Sequence, residues 1–418
     1  MPLRREPYAF PGLNRETFKS LPGLLADSLP DRFGNAVIDS WLASQGRSPD
    51  SFNAVERLCY VGTRGMGALE FAPQHGPRSK RSKDLKVDAL VRLASEILSE
   101  RQALIASLKK GHQEAAMRDI LSVSTSAGGA RAKAVIAFNP ATNQVRSGQV
   151  QAGPGFEYWI LKFDGVKGNK DRELEDPQGY CAVEYAYWLM ARRAGIQMSE
   201  CRLLEENDRR HFMTKRFDRL DDGSKIHMQS LGAIAHFDFN QRGVNSYEQA
   251  FLTMRRLDLG PDAVEQQFRR MVFNVVARNQ DDHVKNIAYL MGRDGTWSLA
   301  PAFDVTYSYN PSGPWTKEHQ MSINGKFSNF DIDDFRACGR VAALKRGQAE
   351  AIVAEVQAVV RDWRTFAKSA GIDDLSADRI QRAHELHFVR RGGRSNTRAT
   401  RPPTPTAPPD SASTTGSR

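Results

Sequence analysis

Apolar residues recur along this chain with two different periods, and the change of period divides it. Residues 35–43 place them at the three-and-four spacing of an amphipathic helix, and residues 58–71 read as a hairpin interrupted by glycines. A polar, basic seam follows at 74–83, QHGPRSKRSK, before helical spacing returns over 85–108 and 113–121. Residues 134–138 and 156–163 are short runs of β-branched and aromatic side chains, the composition of strands. From Gly179 onward the pattern is mostly helical, over 180–194, 246–257, 262–278 and 345–370, and no internal repeat is visible. Strands first and helices afterwards predict an α+β, two-lobed unit. The expected divisions are a small N-terminal domain at 1–76, a helical connector at 77–120 and a main domain at 121–388. The strand-bearing half of that main domain should end near residue 220, and a tail should occupy 389–418.

Composition narrows the class. The chain has 418 residues, 40% hydrophobic and 26% charged, with ample length for large cores. That excludes a wholly disordered chain, a collagen-like one and a small disulfide scaffold. Four cysteines, Cys59, Cys181, Cys201 and Cys338, lie far apart with no CxxC pair, which predicts free thiols in a reducing compartment and no structural zinc. The opening MPLRREPYAFPGLNRE has no apolar core of a secretory signal, and no uncharged apolar run approaches a membrane span. The expected location is the cytoplasm. Residues 390–418 hold six arginines, one aspartate, five prolines and nothing apolar larger than alanine, so they are expected to be disordered. They carry half of the formal charge of +10, which leaves an unremarkable balance on the rest. Any DNA contact is therefore expected mainly through a partner.

Candidate chemistry concentrates at Arg278-Asn279-Gln280-Asp281-Asp282-His283-Val284-Lys285-Asn286, a polar run between two apolar segments. A solvated, helix-capping loop would account for it. The functional reading uses spacing: Asp281 and Asn286 stand as D-x-x-x-x-N, the separation found in phosphotransfer loops. There the Asp accepts a hydroxyl proton and the Asn offers an oxygen to magnesium. Asp304 is the one carboxylate of an apolar segment, and Asp294-Gly295 reads as the turn of a hairpin that would bring it near Asn286. The alternative is a buried, capped aspartate. Upstream, the small residues 122–133, SVSTSAGGARAK, would let backbone N–H groups approach phosphate oxygens, or would form a flexible loop. Lys162 ends an apolar strand and Glu184 sits in the next helix, a pair that could hold α- and β-phosphates; the plain alternative is a lysine reaching water. Taken in order, these elements follow the sequence an ATP-dependent phosphotransferase requires.

On these residues the chain resembles the HipA serine/threonine protein kinases, the toxin component of HipBA-type bacterial toxin–antitoxin systems. The segments LPGLLADSLPD at 21–31 and GALEFAP at 67–73 are similar to the family's N-terminal subdomain. Asp281, His283, Lys285 and Asn286 match its D-x-H-x-K-N loop, and RFDR at 216–219 matches a further motif. The resemblance implies a bilobal protein-kinase-like fold that binds ATP and Mg²⁺. Asp281 and His283 would be catalytic, and Asn286 and Asp304 would hold the metal. Gly128, Gly129, Ala130, Arg131, Ala132, Lys133, Lys162, Glu184, Lys215, Phe217, His283 and Lys285 would line the nucleotide site, with 215–217 meeting the adenine. It also implies autophosphorylation of Ser126, with Ser122 and Ser124 as neighbouring alternatives. The implied partners are a helix-turn-helix, HipB-like antitoxin that binds operator DNA, and a protein substrate such as an aminoacyl-tRNA synthetase; no membrane is implied. Only about twenty residues precede LPGLLADSLPD, fewer than the family usually has, so a subdomain trimmed at its start, a misplaced start or strands from another chain is expected. The tail matches nothing in the family. Two other readings stand beside this one: a catalytically weak co-repressor subunit, and a metal-dependent phosphohydrolase on Asp281-Asp282-His283, for which histidine ligands are short.

Overall fold

The computed structural model describes residues 10–76, 84–99, 119–121, 123, 131–149, 151–166 and 178–388. The expected tail therefore lies outside the described residues, as do Ser122, Ser124, Ser126 and Gly128–Ala130.

The N-terminal part is helical: α1 (Arg15–Phe18), α2 (Gly23–Ala26), α3 (Arg32–Ser44) and α4 (Ala54–Val61), then α5 (Val87–Ser99). The hairpin expected at 58–71 is absent, because α4 runs through its start to Val61. Asn53 and Glu56 form a reciprocal capping box, at 3.0 and 2.8 Å, that starts a helix before the glycines begin. Leu58, Tyr60 and Val61 are buried along that helix, and Gly62 ends it with φ +60°. The glycines that follow serve turns.

A five-stranded antiparallel sheet comes next, built from β1 (Lys133–Asn139), β2 (Gln144–Ser147), β3 (Glu157–Lys162), β4 (Cys201–Glu206) and β5 (Arg209–Lys215) in the order β2-β1-β3-β5-β4. Helix α6 (Tyr180–Arg193) enters between β3 and β4 and packs on β4 and β5. One face of the sheet (Ile136, Trp159, Leu161, Met213) shares a continuous core with Phe33, Ile38, Tyr60, Leu90 and Val91 of the N-terminal helices. Strands β1 and β3 pair so that Lys133 lies opposite Lys162.

The second lobe is mostly helical. It contains β6 (His227–Ser230), α7 (Leu231–Ala235), β7 (Asn245–Ser246), α8 (Tyr247–Arg256) and α9 (Pro261–Val276). Strands β8 (Ala288–Met291) and β9 (Trp297–Leu299) form the hairpin expected around Asp294-Gly295, with Tyr289 opposite Leu299. Then follow β10 (Met321–Ser322), α10 (Ile332–Val341), α11 (Gln348–Arg361), α12 (Trp363–Ser369) and α13 (Asp374–Ala383). The single helix expected at 345–370 is broken at Asp362, where Trp363 turns inward to full burial and donates its indole N–H to the Ala377 carbonyl at 3.0 Å. One large apolar core, including Met271, Phe273, Val276, Phe335 and Trp363, fixes these helices. The α+β, two-lobed, kinase-like arrangement is thus present. Among the described residues no helix is long and apolar enough to cross a membrane. All four cysteines are free, and Cys181, Cys201 and Cys338 are buried.

Candidate active site

The polar run 278–286 forms a loop leaving the C-terminus of α9. Its back end is fastened by backbone and charge: the Arg278 Nε donates to the Ala383 carbonyl at 2.9 Å, and Glu385 N donates to the Val276 carbonyl at 2.8 Å. Its middle is fastened by Asp282. That carboxylate, 1% exposed, accepts from Tyr247 Oη at 2.7 Å and from Gln320 N at 2.8 Å, and lies 2.8 Å from His319 Nδ1. Three donors satisfy a buried charge that would otherwise be costly. The preceding Asp281 has the opposite surroundings: its side chain is 43% exposed and lies 3.7 Å from His283 Nε2. Asn286 closes the loop by donating its Nδ2 to the Asp281 carbonyl at 2.9 Å, which leaves its amide oxygen as the group presented to a ligand.

The sheet side contributes charges. Lys162, at the end of β3, donates to Glu184 Oε1 of α6 at 2.5 Å and also to Asp304 Oδ1. Glu184 Oε2 lies 3.3 Å from Arg131 Nη1, and that guanidinium covers the Tyr180 ring at 3.7 Å. Burial alone would pull the Lys162 ammonium down, yet Asp304 and Glu184 hold it above the usual lysine range. Burial alone would likewise raise the Asp304 carboxyl, but Lys162 and then Lys133 hold it well below the usual carboxylate range. Asp304 takes a left-handed backbone, φ +53°, and its neighbour Phe303 packs against Phe217 with ring centroids 5.8 Å apart. One small cavity is lined by Asp282, His283 and Asn286 from the loop and by Phe303 and Asp304, which follow β9 in the same lobe.

Lys162, Glu184, Arg131 and Asp304 thus form one charged chain, and Asn286 and Asp304 face one cavity. Lys133 is buried, 3.8 Å from Asp31 Oδ2 of the N-terminal part. Lys285 lies over the Phe239 ring at 4.9 Å, and His283 stands 6.0 Å from the same ring. Ala132 contributes its carbonyl to Phe163 N at 3.1 Å. Lys215 is directed elsewhere, with its ammonium 2.9 Å from Glu157 Oε1 and 3.7 Å from Asp221 Oδ1.

Sequence reasoning missed several members. Tyr247 and His319, the partners that fix Asp282, lie 35 and 37 residues from it in the chain and carry no local signal. The RFDR side chains also do something the motif alone does not reveal. Arg216 and Arg219 both pair with buried Asp218, at 2.6 and 2.9 Å. Arg219 then donates to the carbonyls of Gly65 and Gly67, at 2.7 and 3.0 Å, and Gly67 N donates to Asp218 Oδ2 at 2.7 Å. Gly67, at φ +69°, lies so close to Met228 N that a Cβ would sit 3.0 Å from it. The motif therefore clamps the N-terminal part to the lobe junction and leaves Phe217 beside Phe303.

The oxygen-only set Asn286 and Asp304 suits a hard divalent cation, since magnesium takes one or two protein oxygens and completes its shell with water and phosphate. Among the described residues no group of three or more His, Cys, Asp or Glu side chains is placed to hold a metal.

A two-lobed α+β protein with a lysine–glutamate pair facing a D-x-x-x-x-N loop is the class that fold and site define. Family models then place it: residues 125–363 match the HipA-like C-terminal domain and residues 1–72 the HipA N-terminal domain. The chain belongs to the HipA family. Among solved structures it resembles HipA of Shewanella oneidensis MR-1, in a toxin–antitoxin complex with HipB and operator DNA. That match has 15% identity and a TM-score of 0.62, and covers 86% of this chain and 82% of that one. A second similarity, to the Helicobacter pylori proinflammatory kinase CtkA, has 12% identity and a TM-score of 0.34 over 54% of this chain and 90% of that one. No curated protein matches the chain.

Proposed function

We propose that this protein is an ATP- and Mg²⁺-dependent serine/threonine protein kinase of the HipA toxin type. The observation that carries the reading is that Asp304, tied to Lys162 and through it to Glu184, lines one cavity together with Asn286, while the nearby Asp281 is exposed. Lys162, buried and kept charged, would orient the α- and β-phosphates. Asn286 and Asp304 would hold magnesium, whose charge would offset that of the phosphates. Asp281, reachable from solvent and held in place by its neighbour, would accept the proton of the attacking Ser or Thr hydroxyl. His283, at hydrogen-bonding reach of that carboxylate after a small motion, would keep it oriented.

Family membership and the likeness to a HipA bound to HipB and operator DNA support a HipB-like helix-turn-helix antitoxin as partner, with DNA engaged mainly through it. A translation component such as an aminoacyl-tRNA synthetase is the protein substrate we propose, in the cytoplasm. Autophosphorylation at Ser126 would place almost two negative charges where nucleotide phosphates bind, and so would inhibit the enzyme. The second reading, a co-repressor with little catalysis, is weakened because Asp281, Asn286 and Asp304 are all present and arranged.

Incubation with γ-labelled ATP, with and without Mg²⁺, tests the reading. Label on protein only with Mg²⁺ is expected. No label at all would favour the co-repressor, and free phosphate alone would mean hydrolysis.

A further inference from the structure

The N-terminal part reaches Lys133, beside the proposed nucleotide site, through Asp31. Asp31 precedes α3, and its Oδ1 accepts from Gly34 N at 2.5 Å, which caps the helix. Its Oδ2 is used differently. The side chain is 3% exposed, Oδ2 accepts no hydrogen bond from any described residue, and it lies 3.8 Å from the Lys133 ammonium. Lys133 opens β1 directly after the small-residue loop and is paired across the sheet with Lys162. Lys285 of the catalytic loop and Asp304 are the other charges that act on Asp31. A carboxylate satisfied on one oxygen only, buried, and facing an ammonium beyond hydrogen-bond length is held loosely. Burial pushes this carboxyl up to about 7, even though Lys133, the Gly34 N–H and Lys285 pull it down.

We infer that Asp31 is the resident counter-anion of a phosphate subsite at Lys133, and that nucleotide phosphate and Asp31 compete for that ammonium. This rests on the nucleotide-binding reading above. Removing the Asp31 charge takes one negative group from beside the place where phosphate charge arrives, so nucleotide affinity rises. By linkage, bound phosphate loosens the hold of Asp31 on Lys133 and with it one tie between α3 and the sheet. The N-terminal part thereby sets the affinity of the site as well as flanking it.

The test is calorimetric titration of the full chain with magnesium–AMPPNP at pH 8. Asp31→Asn keeps an oxygen for the helix cap and removes only the charge; Asp31→Ser, also a capping residue, replaces it should the first variant fold poorly. The expected result is a dissociation constant about five- to tenfold lower than wild type. The gain should disappear when Lys133→Met is added. An unchanged or weakened affinity in a folded variant, or a gain that persists without Lys133, overturns the inference and leaves the kinase reading standing. A wild-type protein that binds no magnesium–AMPPNP overturns both.

Discussion

The two walls of the cleft are held by different physics. On the sheet side the ties are ionic and shared: Lys162 has two carboxylate partners, and Glu184 has two cationic ones. Lys162 and Glu184 each keep a partner if another is drawn away, so this pair can rearrange around phosphate and metal without being stranded. On the loop side a single carboxylate, Asp282, is locked by a tyrosine, a histidine and a backbone N–H, and its neighbour Asp281 is left open. Fixity and reactivity are divided between adjacent residues. The sheet side is built to exchange partners, and the loop side is built to stay still.

The largest effect should come from the open member of the pair. Asp281→Asn is expected to lower phosphotransfer on the order of 10³-fold, as loss of a general base does. The melting temperature should hardly move, because the residue is exposed and makes one long contact. Rates from label transfer alongside thermal denaturation check both halves. Asp282→Ala should do the reverse in kind. It strands Tyr247 Oη, His319 and Gln320 N in a buried space and should cost about 3 kcal/mol of stability in denaturant unfolding. Early melting of Asp281→Asn, or a stable Asp282→Ala, would break this division between the two aspartates.

How far the sequence revealed this depends on the distance each interaction spans. The loop spacing, the strand lysine and the Asp-Gly turn are local patterns, and each sits in the element it suggested: Asn286 closes on Asp281, Lys162 meets Glu184, and β8 pairs with β9. The lobe order followed from periodicity. What stayed hidden is long-range or made by backbone. His319 finds Asp282 across 37 residues, and Arg219 finds the Gly65 carbonyl across 154. The hairpin expected at 58–71 gives way to α4 because the Asn53–Glu56 capping box starts a helix before the glycines are reached. Lys215 and Phe217 were paired by a motif, yet one side chain turns to Glu157 and the other to Phe303.

Acid should separate the walls by a smaller amount. His384 is buried at the back of the loop, 3.2 Å from Tyr187 Oη, which also donates to the Ala277 carbonyl at 2.6 Å. Burial, helped by Arg278, lowers this imidazole to about 3. The unfolded chain therefore takes up the proton first. The stability held by neutral His384 is complete above its ordinary value of 6.5 and is lost as pH falls from there toward 3. Asp304 has the same sign of linkage in a lower window: its contribution is complete above the ordinary 3.8 and declines only below it. Asp31, raised to about 7, gains stability as pH falls through that value, so absolute stabilities mix signs and a difference is needed. Between pH 8 and pH 5 the stability of wild type relative to His384→Gln should drop by about 2 kcal/mol. An unchanged difference in denaturant unfolding would mean that His384 does not fasten the loop.

The smallest effect should mark where the ionic wall ends. Lys215 follows Phe212 and Met213 of β5 toward the lobe junction, close in sequence to the clamp at Arg216 and Asp218. Its ammonium is taken by Glu157 and Asp221, and its backbone N–H donates to the Glu200 carbonyl at 2.8 Å. A partly exposed pair of this kind contributes roughly 0–1 kcal/mol. Lys215→Ala should therefore lower stability by less than about 1 kcal/mol. Its affinity for magnesium–AMPPNP should stay within about twofold of wild type, since less than 0.5 kcal/mol of binding energy is at stake. A tenfold loss of affinity with unchanged stability would extend the nucleotide site to β5, and the sheet wall would then hold a cation that neither Glu184 nor Asp304 controls.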